Sequence, residues 1–82
     1  MLWFVYILRS EKDAKRYFGC TKDLNERLAR HHKGQVRTTR NRGPFSLLHV
    51  ERFESREEAS ARENFLKTWA GRIELSRILP EG

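Results

Sequence analysis

Arg27 and His31 stand where a helix should keep its leucines. In the stretch RYFGCTKDLNERLARHHKG, residues 16–34, an advance of roughly 100° per residue places Leu24 and Leu28 on one stripe. On the same wheel His31 falls at roughly −20° from Leu24 and Arg27 at roughly −60°, while Glu26, Arg30 and Lys33 take the opposite side. A guanidinium carried toward a core needs an acid, an aromatic stack or a ligand anion, because burying it without a partner is costly. The competing explanation is an arginine that snorkels past the leucines to water.

A second helix repeats the anomaly with the opposite sign. Ala59, Leu66, Trp69 and Ala70 make its apolar stripe, with Phe65 at the margin. Glu63 lies at roughly +40° from Ala59, inside that stripe. Arg62 shares the face and is available to a carboxylate, so a structural ion pair is one reading of Glu63. The other is catalytic, since a carboxylate at the rim of a basic cleft recruits a hard divalent cation to a phosphate. Tyr6, on an apolar strand with Phe4 and Leu8, reads by itself as a core tyrosine with a satisfied hydroxyl.

The elements that must hold these residues follow from the pattern. The run LWFVYILR, residues 2–9, is mainly β-branched and aromatic and predicts a well-buried strand. SEKDAK is a polar turn, and RYFGCT a short second strand paired to the first as a hairpin. Asp23 is a good N-cap with Glu26 in capping-box position, and the helix it opens runs to Lys33 with Gly34 as its stop. FSLLHVERF is a third strand. A helix from Ser55, with Glu58 as capping partner, runs to Ala70 before Gly71, and RIELSRIL forms a short last helix that stops at Pro80. The order is ββαβαα: a small α+β fold, with a three-stranded, mostly antiparallel sheet flanked by helices and residues 1–82 as one domain.

Charge narrows the partners. Seventeen Lys and Arg against eleven Asp and Glu leave a net +6 on 82 residues, which suits a polyanion, nucleic acid first among them. The loop KGQVRTTRNRGP carries Lys33, Arg37, Arg40 and Arg42 beside Thr38, Thr39 and Gly43. These offer donors to phosphate oxygens without base-reading geometry, and a merely solvated loop is an equal alternative. Cys20 is the single cysteine. An internal disulfide and a cysteine-based zinc site are therefore excluded, and a reducing cytoplasm is the expected setting. His31 and His32 are adjacent and point apart on a helix, which makes a poor metal pair, and His49 has no evident role. The apolar start MLWFVYILRS is too short to span a membrane and has neither a basic region nor a cleavage site. No phosphate-binding glycine loop, dinucleotide fingerprint or hydrolase serine elbow occurs.

Taken together, VYI at 5–7, YFG at 17–19, Arg27, His31 and Glu63 resemble the GIY-YIG nuclease family, especially its small stand-alone bacterial members. The resemblance covers almost the whole chain, through YFGCTKDLNERLARH, TTRNRGPFSLL and SREEASARENFLK. Each motif is short, and the specificity lies in their joint order and spacing. Val5 stands where the first motif has glycine-isoleucine, and Phe18 replaces isoleucine in the second. Cys20 occupies a position where some relatives carry a lysine.

What the resemblance implies is a phosphodiesterase using one Mg²⁺ or Mn²⁺ ion. Tyr6 and Tyr17 correspond to the motif tyrosines and Gly19 to the motif glycine beside the active site. Arg27 corresponds to the catalytic arginine, His31 to the His or Tyr one turn later, and Glu63 to the metal-binding glutamate. In that scheme Tyr17 takes a proton from the attacking water and Glu63 holds the metal at the leaving oxygen. Arg27 neutralises transition-state charge, and Tyr6 and His31 orient water and phosphate. The expected function is a DNA endonuclease with a role such as DNA repair, structure-dependent or weakly sequence-specific because one small module reads few base pairs. Branched, nicked or flapped DNA and recruitment by a protein partner are the expected settings. The alternatives are a nucleic-acid-binding module of the same fold with little cleavage, and a structural domain in which Arg27, His31 and Glu63 close an internal salt-bridge network.

Overall fold

The computed structural model describes residues 1–79. A strand with a long unbroken apolar and aromatic run needs cover on both faces and neighbours on both edges. β1 (Trp3–Ser10) is accordingly the central strand of a three-stranded sheet in the order β2-β1-β3. β2 (Arg16–Thr21) and β3 (Phe45–Phe53) pair with it antiparallel on either side. α1 (Leu24–His32) connects β2 to β3, and α2 (Arg56–Leu66) and α3 (Trp69–Ile78) follow β3. The ββαβαα order and the α+β class are those the sequence predicts, with β1 displaced by one residue.

Alternation along β1 separates two kinds of work. Val5 and Ile7, both fully buried, join Ala59, Leu66, Leu75 and Leu79 in the apolar core. Each buried Val, Ile or Leu among them contributes roughly 1.5–3 kcal/mol by leaving water. Tyr6 and Leu8 face the other way, and the hairpin register sets Tyr6 opposite Gly19 and Leu8 opposite Tyr17. Both motif tyrosines and Gly19 therefore share one face of the sheet.

α1 begins and ends as expected. The Asp23 carboxylate accepts from the Glu26 N–H at 3.1 Å, and Gly34 takes a left-handed φ of +72° just past the helix. Its buried stripe is different, however. Leu24 and Leu28 are only half-covered, and His31 is the one residue of α1 that is buried. No residue of α1 belongs to the apolar core, so its inward side meets the polar tyrosine face.

The second predicted helix divides in two. α2 stops at Leu66 rather than Ala70, because the Thr68 hydroxyl donates to the Phe65 carbonyl at 2.6 Å and accepts the Gly71 N–H at 3.2 Å, capping a new helix. Gly71 is thus an interior residue of α3 and not a stop. A Cβ there would fall within 3.0 Å of the Phe65 carbonyl and the Leu66 Cα, so only glycine allows so tight a turn. Trp69 is 78% exposed and lies outside the apolar stripe assigned to it. The expected stop at Pro80 lies outside the described residues.

Arg62 finds its carboxylate on β3. Its guanidinium donates to both oxygens of Glu51, at 2.6 and 3.1 Å, and also to Glu74. His49 completes the cluster through Nε2, 2.8 Å from Glu51. The Arg62 hydrogen bonds hold the Glu51 carboxyl below its ordinary value against the opposing effect of burial. Strand β3, α2 and α3 are stitched together there, and Arg62 is spent on structure.

Candidate active site

The tyrosine face opens into a cleft of about 310 Å³ lined by Tyr6, Tyr17, Arg27 and His31, together with Arg16, Thr39, Lys67 and Arg72. Strand register delivers the tyrosines, α1 delivers Arg27 and His31 one turn apart, and the loop after α1 delivers Thr39. The inward-facing pair on the helical wheel is thereby accounted for: Arg27 and His31 form one wall of a polar cleft.

Hydrogen bonds organise the floor into a directional chain. Arg27 Nε donates to the Tyr6 hydroxyl at 3.2 Å, and a guanidinium can only donate. The phenolic hydrogen is then free to go to His31 Nε2, 2.8 Å away. His31 Nδ1, which bears the proton in that tautomer, faces the Thr39 hydroxyl at 2.7 Å. Thr39 in turn donates to the Val36 carbonyl at 3.4 Å. Every group in the chain has a partner of the right kind. Burial raises the Tyr6 phenol above its ordinary value even though Arg27 pulls it down. Burial, with Arg27 and His32 adding positive charge, pushes the His31 imidazole below its ordinary value.

Tyr17 is placed differently. It is half-buried, its ring stands edge-on to Phe45 at 6.0 Å, and its hydroxyl makes no hydrogen bond among the described residues. Phe45 also meets His31 edge-on at 6.1 Å, so this one ring braces both walls.

Glu63 is not among the residues that line the cleft. Its Oε2 lies 3.0 Å from Lys67 Nζ, and its charge adds to the effect of burial in opposing ionisation of both Tyr6 and Cys20. Glu63 makes no ion pair with Arg27 among the described residues, so the closed Arg27–His31–Glu63 network that a purely structural domain requires does not form.

The loop arginines lie elsewhere. Arg37, Arg40 and Arg42 are exposed and do not line the cleft. Arg42 pairs with Asp13 at 3.6 Å, and the turn between β1 and β2 clasps the loop's far end. Ser10 Oγ donates to the Arg42 carbonyl at 2.5 Å, and the Glu11 N–H donates to the Pro44 carbonyl at 2.9 Å. Lys33 lines a neighbouring cavity of about 520 Å³ that shares His31 and Thr39 with the cleft.

The family model of the GIY-YIG catalytic domain matches residues 2–75. The chain belongs to the GIY-YIG family. It is 34% identical over 80 residues to a UPF0213 protein of Staphylococcus saprophyticus, covering 96% of this chain and 95% of that one. A UPF0213 protein of Nitratidesulfovibrio vulgaris is 43% identical over 67 residues, 80% of this chain, and the match spans 60% of that relative's length. The solution structure of a UPF0213 protein from Bacillus halodurans superposes with a TM-score of 0.59 at 34% identity, covering 95% of this chain and 85% of the other. The GIY-YIG domain is a nuclease domain, and its nucleases act on DNA.

Within this GIY-YIG domain Gly19 has a clear physical reason. The Tyr6 ring crosses β2 directly above it, and an added Cβ would fall within 3.0 Å of Tyr6 Cζ, Oη and Cε1. Four members of the site are hidden in the sequence. Thr39 is legible there only as a generic phosphate donor, although it is 1% exposed and orients His31. Lys67 stands four residues after Glu63, a spacing that signals an ion pair. Arg16 and Arg72 give no signal beyond their charge.

A divalent ion suits this donor set only with help from the substrate. Among the described residues no three His, Cys, Asp or Glu side chains come together as a metal site. Magnesium nevertheless binds through one or two carboxylates, keeping waters and substrate phosphate oxygens as its other ligands. The family resemblance gives that role to Glu63, which Lys67 engages at 3.0 Å and which is not among the residues lining the cleft.

The buried imidazole has a consequence for stability. Unfolding releases His31 to its ordinary value near 6.5, above its folded value, so the unfolded chain binds the proton more readily. Stability should be full above that pH. It should fall as the pH drops through the window below it, by at most about 1.4 kcal/mol per pH unit. Thermal midpoints between pH 8 and 5 should show this slope, and His31→Gln should flatten it. An equal slope in the variant would assign the effect to other groups.

Proposed function

We propose that the protein is a divalent-metal-dependent endonuclease that hydrolyses DNA phosphodiester bonds without long sequence recognition. The observation that carries this reading is the cleft itself. Four cations, Arg16, Arg27, Lys67 and Arg72, line it together with two tyrosines, and Lys67 ties the cleft to the Glu63 carboxylate. Such a lining concentrates a phosphate and neutralises charge that develops on it, which is most of what phosphodiester cleavage requires.

Roles for individual residues follow from their partners. Tyr6 is occupied at both its donor and acceptor positions, so its hydroxyl orients. Tyr17 lines the cleft with its hydroxyl unengaged among the described residues, and in its phenolate form it accepts the proton of the attacking water. Arg27 donates through Nε to Tyr6, leaving its terminal nitrogens for the phosphoryl oxygens. His31 fixes Tyr6 and is itself fixed by Thr39. Glu63 is the protein ligand for one Mg²⁺ or Mn²⁺, an ion that supplies Lewis-acid stabilisation of the leaving 3′ oxygen when bound. Arg37 and Arg40 extend the basic footprint along the phosphate backbone.

Incubating the purified protein with supercoiled plasmid and with branched, nicked and flapped oligonucleotides, with Mg²⁺, Mn²⁺ or a chelator, tests this reading. Cleavage should require the ion. Neutralising Arg37, Arg40 and Arg42 together should weaken binding on all sequences alike. It should also flatten the salt slope of log K by up to ~0.9 for each phosphate that is no longer neutralised. DNA that is bound but never cut with either ion would leave a binding module of the same fold as the correct reading.

A further inference from the structure

Beside the cleft the surface changes character. Trp69, the first residue of α3, is 78% exposed and Ile73, one turn on, is 42% exposed. They line a shallow depression of about 350 Å³ with Ser76, Arg16 and Arg72. The two arginines line the cleft as well, so cleft and depression are continuous through them. Neither arginine makes an ion pair among the described residues. An indole so exposed to solvent gains little from folding. What distinguishes this patch from an ordinary apolar face is its rim of cations, shared with a phosphate-binding cleft.

We propose that Trp69 is a stacking platform for one unpaired base of the DNA strand whose phosphate occupies the cleft. This rests on the nuclease reading and adds a substrate class: a strand unpaired next to the cut, as in a flap or overhang, rather than intact duplex. The chemistry matches in both halves. A base offers an apolar π-face to the indole and Ile73, and its flanking phosphates fall to Arg16 and Arg72. Stacking on an aromatic beside a basic track is the general mode of single-strand binding and tolerates any sequence. A paired base cannot reach the indole face without being unstacked first.

Tryptophan fluorescence tests the platform in the absence of metal, so that cleavage does not enter. The background from Trp3, which is half-buried beneath Arg56, is removed by Trp3→Phe. In that background a duplex with a single-stranded overhang should quench Trp69, and a blunt duplex of equal length should not. Trp69→Ala should weaken overhang binding by about 5- to 150-fold, the range expected when one base–aromatic stack is removed. Blunt-duplex affinity should hold within twofold, and Trp69→Phe should restore most of the loss. With metal present, wild-type protein should cut the overhang substrate faster than the blunt one. Quenching and selective binding without any cleavage would support the platform while sinking the nuclease reading. Cleavage together with wild-type overhang affinity in Trp69→Ala would overturn the platform and leave the nuclease reading standing. Fluorescence that shifts with protein concentration alone would also overturn it, by showing a second copy of the chain on this face.

Discussion

Glu63→Gln should abolish DNA cleavage while leaving DNA affinity unchanged or slightly higher. As the proposed single protein ligand, this carboxylate carries the whole attachment of the ion. The several kcal/mol of transition-state stabilisation that a Lewis acid supplies correspond to a rate loss on the order of 10³-fold or more. Binding is governed instead by cations facing the phosphates, and removing one negative charge beside them does not weaken it. The fold should tolerate the change, because the partner it loses, Lys67, is half-exposed and such pairs contribute about 0–1 kcal/mol. Single-turnover cleavage, a mobility shift and a melting curve on one preparation separate these effects. Cleavage at the wild-type rate removes Glu63 from the reaction. A destabilisation of several kcal/mol would mean that the carboxylate serves the fold.

The second large effect is expected from a single methyl group. Gly19→Ala places a Cβ where Tyr6 already has its phenol ring, and β1 and β2 are locked in register on both sides of the contact. The ring must then leave its position or the hairpin must part. Overpacking of this kind costs typically 1–3 kcal/mol, and the displaced hydroxyl also breaks its bonds to Arg27 and His31, so activity should fall more than stability. The colliding atoms identify the compensating change. Tyr6→Phe keeps Cζ and Cε1 and should not relieve the clash, whereas Tyr6→Leu removes all three atoms and should recover stability in the double variant. Additive losses in the Gly19→Ala, Tyr6→Leu pair would show that the two residues do not collide.

The sequence is most revealing where a residue type contradicts its position. Arg27 and His31 are legible because a wheel exposes a cation among leucines, and both line the cleft. The same wheel misleads at the end of α2. Leu66, Trp69 and Ala70 continue its apolar spacing without interruption, so periodicity carries the helix through a boundary that Thr68 and Gly71 create by capping and close approach. That error hides Trp69, which looks like core and is among the most exposed side chains. Tertiary roles are harder still. The types of Thr39 and Phe45 are ordinary for a loop and a strand. Only the folded chain brings Thr39 beneath His31 and wedges Phe45 between Tyr17 and His31. Arg62 and Glu63 are neighbours with similar local context, and their division into structural tie and proposed ligand depends on Glu51 arriving from β3.

The turn between β1 and β2 bears on how this domain can be modified. Exposed hairpin tips are ordinarily the preferred points for inserting a tag, a linker or a second module. Here the tip is fastened by Ser10 and Glu11 to the carbonyls of Arg42 and Pro44, and Lys12 reaches the Asn41 carbonyl at 3.3 Å. The same segment ends the loop that seats Thr39 under the imidazole. Lengthening the tip would therefore slacken the loop while the apolar core on the opposite face of the sheet stayed intact. Such a graft would keep its fold and its solubility and still lose the alignment of His31 and Tyr6, a failure that a folding assay would not detect.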